Sequence, residues 1–241
     1  MNYEMARKSP NLVYLFAFLS LLNLAAVGFE LEMLNFLTKP FLVSSLTAWY
    51  YQSNKTNWNS INTMFQLGLC FSVVGDALLM FVKTRGEIFF LLGLGSFLIA
   101  HLCYIVAFTI FPSLKSGALY KNKRLSVPFL AALIGVLSFL WPDLGNFRFP
   151  VLLYAIIIIA MSAFCFNMKN RVTDSVFISL FVGSALFVVS DLTIALVKFK
   201  FDNVASPISG FAIMLTYLLG QFSLTNGMIL AHQSTERPLI M

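Results

Sequence analysis

Apolar runs of roughly 20 residues, the length that crosses the hydrocarbon core as a helix, recur along the whole chain with only short polar gaps between them. Eight stretches qualify: 11–29, 33–51, 61–82, 87–111, 125–141, 148–167, 174–197 and 205–231. In lipid every backbone polar group must be paired within the protein, so consecutive spans of this kind become a bundle of helices. Composition agrees. Charged residues make up 11% of the 241 positions, against about 25% in soluble domains. The expected fold is an all-α membrane protein with eight transmembrane helices, one multi-pass domain covering 1–241. The net charge of +6 then belongs to short loops and lipid headgroups, and carries no nucleic-acid footprint. Arg7 and Lys8 precede the first run, and no small-x-small cleavage pattern ends it. A first span, rather than a signal peptide, is expected.

Lys and Arg in the gaps set the expected orientation. One side collects Arg7, Lys8, Lys55, Lys115, Lys121, Lys123, Arg124, Lys169, Arg171 and Arg237; the other holds Lys83, Arg85, Arg148, Lys198 and Lys200. The richer side is expected to be cytoplasmic, with both termini there. Asn54-Lys55-Thr56 would then lie on the cytoplasmic side, without a glycan. The terse termini lean toward a bacterial inner membrane over an endoplasmic reticulum. Cys70, Cys103 and Cys165 all lie inside apolar runs and are expected to be small buried hydrophobes, with neither disulfide nor metal role.

Two of these runs contain an acid. Residues 71–83 read FSVVGDALLMFVK and residues 186–198 read LFVVSDLTIALVK. An offset of 115 carries Gly68 to Gly183, Val73 and Val74 to Val188 and Val189, Asp76 to Asp191, and Lys83 to Lys198. The offset is close to half the chain, which suggests two parallel four-helix repeats, roughly 1–115 and 116–241, with a site between them. A carboxylate at mid-bilayer costs about 2.5–3.5 kcal/mol on insertion scales. Each acid lies seven residues before a lysine, about 10 Å along a helix. Spans three and seven run the same way, so both acids lie at one depth in one leaflet.

Other polar residues in the spans extend the candidate site. Gly68, Ser72 and Asp76 recur every four residues and share a face. Lys39, followed by Pro40, starts in the same leaflet as the acids and can pair with one of them or hold a phosphate; snorkelling to the interface is the bland reading. His101 and Tyr104 share a face of span four. Tyr217, Gln221 and Thr225 form a stripe on span eight. Each of these could equally be a hydrogen-bonded packing residue. No HExxH, GxSxG, P-loop or GxGxxG pattern is present, and no cofactor or metal is expected.

Paired carboxyl groups in a low-dielectric site suit hydrolysis through an oxocarbenium-like state, one as acid and the other as base or cation stabiliser. At this depth the substrate would be a lipid. VVGDALLM, SFLIAHLCY, ALFVVSDL and the early TKP resemble the YhhN family of integral membrane proteins, which includes the lysoplasmalogenases. The resemblance covers spans two to eight. It implies cleavage of the vinyl ether bond of a lysoplasmalogen, a lysophospholipid, to a fatty aldehyde and a glycerophospho-headgroup. It places the two essential acids on Asp76 and Asp191; on the reading of the polar residues above, Lys39, His101, Tyr104, Tyr217 and Gln221 are expected around the substrate. The competing class is a transporter or proton-coupled carrier using the same acids; a non-catalytic scaffold is a third.

Overall fold

A computed structural model of the chain describes residues 10–201 and 206–235. Among them the regular structure is helical. The long helices are α1 (Pro10–Gly28), α2 (Glu32–Asn54), α3 (Ser60–Met80), α4 (Glu87–Ile110), α5 (Val127–Leu140), α6 (Arg148–Phe166), α7 (Asp174–Phe199) and α8 (Pro207–Thr235). Their ends follow local chemistry. Asn59 caps α3 by accepting from the amides of Ile61 and Asn62, which satisfies donors that a helix start leaves free. Pro128 occupies the first turn of α5, where its missing amide is harmless. Gly86, at φ +84°, turns the chain from the short helix Val82–Arg85 into α4.

Seven helical stretches among the described residues are long and apolar enough to cross a membrane. The exception to the eight expected is α2. At 23 residues it is long enough, but Glu32, Asn35, Lys39, Ser44, Ser45 and Thr47 dilute its hydropathy. It nevertheless packs along α1, α3 and α8, and the helix continues past Pro40. Arg7, Lys8 and Arg237, used above for orientation, lie outside the described residues.

The closest helix pairs are α3 with α4 and α7 with α8, and glycine makes both possible. A Cβ on Gly75 would lie 2.7 Å from the Phe97 ring, and one on Gly68 would run into Tyr104. On α7, a Cβ at Gly183 would lie 2.7 Å from the Leu224 amide nitrogen and 2.9 Å from the Gly220 carbonyl oxygen of α8. Small residues at crossings let backbones approach and gain dispersion contacts, the main drive for helix association where lipid is as apolar as the protein core.

One end of the bundle is stitched by ion pairs: Lys83 with Glu32 at 2.8 Å, Lys198 with Glu87 at 3.0 Å, and Lys200 with Asp143. At the other end Asn167 ties two loops together, accepting from the Tyr120 amide and donating to the Leu114 carbonyl. Arg171 donates to the carbonyls of Phe111 and Pro112 where α4 stops. Burial pulls its guanidinium down to about 10, so it is a cation at neutral pH. The cysteines are free; Cys165 is buried and Cys103 half-buried, whereas Cys70 faces outward. Its position on α3 is on the side away from the Gly68–Asp76 face.

Candidate active site

Periodicity places the acids and packing decides what meets them. Gly68, Ser72 and Asp76 are all buried on one face of α3, as their spacing of four predicts. Asp76 Oδ2 accepts a 2.6 Å hydrogen bond from the Tyr217 hydroxyl of α8. From that phenol a line of polar groups runs inward. Gln221 Nε2 lies 3.5 Å from the Tyr217 hydroxyl, Tyr104 donates to Gln221 Oε1 at 3.3 Å, and Ser72 Oγ lies 3.4 Å from the Tyr104 hydroxyl. Ser72 closes the line on the Gly68 carbonyl at 3.0 Å. Tyr104, Gln221 and Ser72 are fully buried, so each polar atom depends on these partners. Lys39 lies within electrostatic reach of Asp76.

Asp191 is held differently. It is half-buried on α7, and its Oδ2 accepts from the Tyr154 hydroxyl of α6. Two apolar grooves meet at this acid. The first, about 480 Å³, is lined by Leu79, Phe90, Leu94, Phe97, Tyr154 and Phe199 among others, and by Asp191 itself. The second, about 450 Å³, runs between α5, α6 and α7 past Leu133, Val136, Ile158, Val188 and Asp191. Both volumes include space open to the surroundings. Asp76 is on neither lining, yet it lies within electrostatic reach of Asp191.

His101 lies between the two acid environments. Its ring meets Tyr154 edge-on at 5.5 Å, Tyr104 at 6.5 Å and Phe187 at 4.8 Å between centroids. The side chain is fully buried, and neither ring nitrogen has a hydrogen-bond partner among the described residues. A buried polar group in that state calls for an explanation.

The structure thus brings Asp76, Tyr217, Gln221 and Tyr104 into one chain of hydrogen bonds, with Lys39 nearby. It places His101 against both tyrosines, and it sets Asp191 at the groove wall. Sequence reasoning missed Tyr154. A signal existed: the same offset of 115 that relates the acids carries Lys39 to Tyr154, so corresponding positions hold a polar residue within reach of each acid. No group of His, Cys, Asp or Glu able to hold a metal occurs among the described residues.

Comparison with known proteins adds independent findings. The profile of the YhhN family matches residues 34–228. A protein named lysoplasmalogenase from Mycobacterium bovis is 32% identical over 142 residues, 57% of this chain and 50% of its own length. Lysoplasmalogenase TMEM86A from Bos taurus is 31% identical over 180 residues, 72% of this chain and 68% of its own. The human protein of that name is 34% identical over 165 residues, 66% and 62% respectively. The match thus spans only half the length of the mycobacterial relative. No solved structure matches the chain.

Proposed function

The chain belongs to the YhhN family, and from that premise we propose that it is an intramembrane hydrolase that cleaves the vinyl ether bond of lysoplasmalogens. The observation that carries the reading is a half-buried carboxyl group, Asp191, on the wall of apolar grooves and within electrostatic range of a second, buried carboxyl group. The relatives named lysoplasmalogenase support the substrate class. In this reading α2 is an eighth span, because Glu32 at its start pairs with Lys83 beyond the end of α3, and helix contacts repeat between halves. In each half the helices pack in order, with the third closest to the fourth; α4 also meets α6 as α8 meets α2. Halves of roughly 1–115 and 116–241 with parallel topology account for that pattern. The excess of Lys and Arg on one side supports cytoplasmic termini, and a bacterial inner membrane is favoured over an endoplasmic reticulum.

Asp191 is the acid because it alone of the pair lines the grooves. Its proton goes to the vinyl carbon remote from oxygen, and the double-bond electrons form the new C–H bond. The positive charge is shared by the other carbon and the ether oxygen. Asp76, hydrogen-bonded by Tyr217 and balanced by Lys39, stabilises that cation as an anion held in place, so little reorganisation is needed at the moment of reaction. His101 takes the attacking water: the oxygen adds to the carbon bearing the ether oxygen, and the released proton passes to the imidazole. The hemiacetal then collapses. Its hydroxyl proton returns to Asp191 as the carbonyl forms, the C–O bond breaks, and the imidazole proton goes to the glycerol oxygen. Water and substrate become a fatty aldehyde and a glycerophospho-product.

The test is aldehyde release from lysoplasmenylethanolamine by purified wild type, Asp76→Asn and Asp191→Asn. A positioned acid contributes about 10²–10⁴-fold, so Asp191→Asn should lose at least about a hundredfold. Wild-type turnover in either variant removes that residue from the pair. Uptake into sealed vesicles with no aldehyde formed would favour the carrier class instead.

A further inference from the structure

The first groove does not end at Asp191. From Asp191, Tyr154 and Phe97 it runs toward the ion-paired end of the bundle and finishes between Phe90 and Phe199. There three phenylalanines converge, with ring centroids 6.1 Å apart for Phe90 and Phe147, 6.3 Å for Phe90 and Phe199, and 5.5 Å for Phe147 and Phe199. The Lys198 ammonium lies over this cluster, 5.2 Å from the Phe90 centroid and 5.6 Å from Phe147. It also donates to Glu87 Oε1 at 3.0 Å. A cation over two ring faces is held by their quadrupoles as well as by its counter-ion. The lysine side chain is only 12% exposed, whereas Glu87 is 65% exposed. The Phe90–Phe199 end of the groove, taken here as its mouth, therefore has a fixed positive charge and an accessible negative one beside it, although neither residue is on the groove lining.

We propose that this mouth is the headgroup site for a zwitterionic lysophospholipid: Lys198 pairs with the phosphate, and Glu87 pairs with the ammonium of the headgroup. The inference rests on the hydrolase reading above and adds the residues that choose the substrate. Its basis is complementarity. A phosphate and an ammonium joined by a two-carbon linker form a short dipole, and the Lys198–Glu87 pair is a dipole of similar length that can lie antiparallel to it. Spacing agrees as well. Lys198 follows Asp191 by seven residues on one continuous helix, about 10 Å along the axis. The run of single bonds from the vinyl ether through glycerol to phosphorus, each about 1.5 Å, with a terminal hydrogen bond of about 2.8 Å, covers roughly the same length. With the phosphate at Lys198, the vinyl ether reaches Asp191. The alkenyl chain then continues down the second groove, along Ile158, Val188 and Leu133.

The experiment compares four substrates with one alkenyl chain: lysoplasmenylethanolamine, lysoplasmenylcholine, the phosphate monoester without the ammonium, and alkenylglycerol without phosphate. Wild type is expected to process the two zwitterions about tenfold better in kcat/KM than alkenylglycerol, a rim-to-half-buried charge effect. Lys198→Met should bring that ratio near one, and Glu87→Gln should erase the advantage of the zwitterions over the monoester alone. A merely structural lesion lowers all four substrates alike and leaves the ratios standing, which would overturn the proposal. So would a wild type that takes alkenylglycerol as well as the phospholipids, whatever the variants do. Binding of a non-cleavable alkyl lysophosphocholine, read as a thermal shift of wild type against Lys198→Met, reports on the mouth apart from chemistry. Aldehyde from none of the substrates together with a Lys198-dependent shift would sink the hydrolase reading and keep the site; aldehyde without that shift would do the reverse.

Discussion

Replacing Tyr217 by Phe removes one oxygen from the centre of the proposed site and leaves the ring in place. That ring packs edge-on against Phe97 at 5.9 Å and Phe187 at 5.4 Å, contacts that phenylalanine keeps. The lost hydroxyl donates to Asp76 at 2.6 Å. A hydrogen bond to a charged group is worth about 1.5–3 kcal/mol, and each 1.4 kcal/mol is about tenfold. The Gln221 contact at 3.5 Å is at the edge of hydrogen-bond length and adds little. If Asp76 stabilises the cation only while this bond orients it, kcat/KM for lysoplasmenylethanolamine should fall about 10- to 100-fold, mostly in kcat. The check is a double-mutant cycle with Asp76→Asn, in detergent micelles, with aldehyde read by coupled reduction. In the Asp76→Asn background the second substitution should cost less than about twofold, because residues acting as one unit are non-additive. A full-sized loss in both backgrounds would mean that Tyr217 acts through something other than Asp76. Activity within twofold of wild type would mean that the bond has no part in the chemistry.

Three further outcomes are expected. In D2O, wild type should return unreacted substrate without vinylic deuterium, since water captures the oxocarbenium ion at once; His101→Phe, lacking both ring nitrogens, should return substrate deuterated at the protonated carbon, measured by mass spectrometry. Gly183→Ala and Gly68→Ala should both lower the melting temperature. The new methyl at 183 meets the α8 backbone at 2.7–2.9 Å, and at 68 it runs into the buried Tyr104 ring; overpacking costs about 1–3 kcal/mol where the neighbour cannot yield. Arg171→Gln should also melt earlier, by the loss of charge-assisted bonds to the Phe111 and Pro112 carbonyls, with the wild-type preference among substrates retained.

Much of the site's ingredient list was legible along the chain. The spacing of Gly68, Ser72 and Asp76 correctly predicts one buried face, and Tyr217, Gln221 and Thr225 are likewise all buried on α8. Such patterns are readable because a helix fixes the direction of each side chain relative to its own axis. Lys198 was read only as an end marker, and Glu87 not at all, since nothing on α7 announces which carboxylate will stand opposite. Tyr154 was passed over in a run of isoleucines whose apolar character masks one phenol. Cys70 was expected inside and lies outside, because in lipid an outward-facing small apolar residue is as well solvated as a buried one and hydropathy does not separate them.

The sequence by itself determined the helical stretches, their apolar length, and the seven-residue step from each acid to its lysine, since these are properties of the chain alone. Only the tertiary structure decided that Tyr217 of α8 reaches Asp76 while Tyr154 of α6 reaches Asp191, and that one acid lines the grooves while the other does not. Those outcomes depend on the rotation of each helix about its axis and on which neighbour it meets. Close approaches such as Gly75 on Phe97 and Gly183 on Leu224 fix both, and they join residues far apart in the chain.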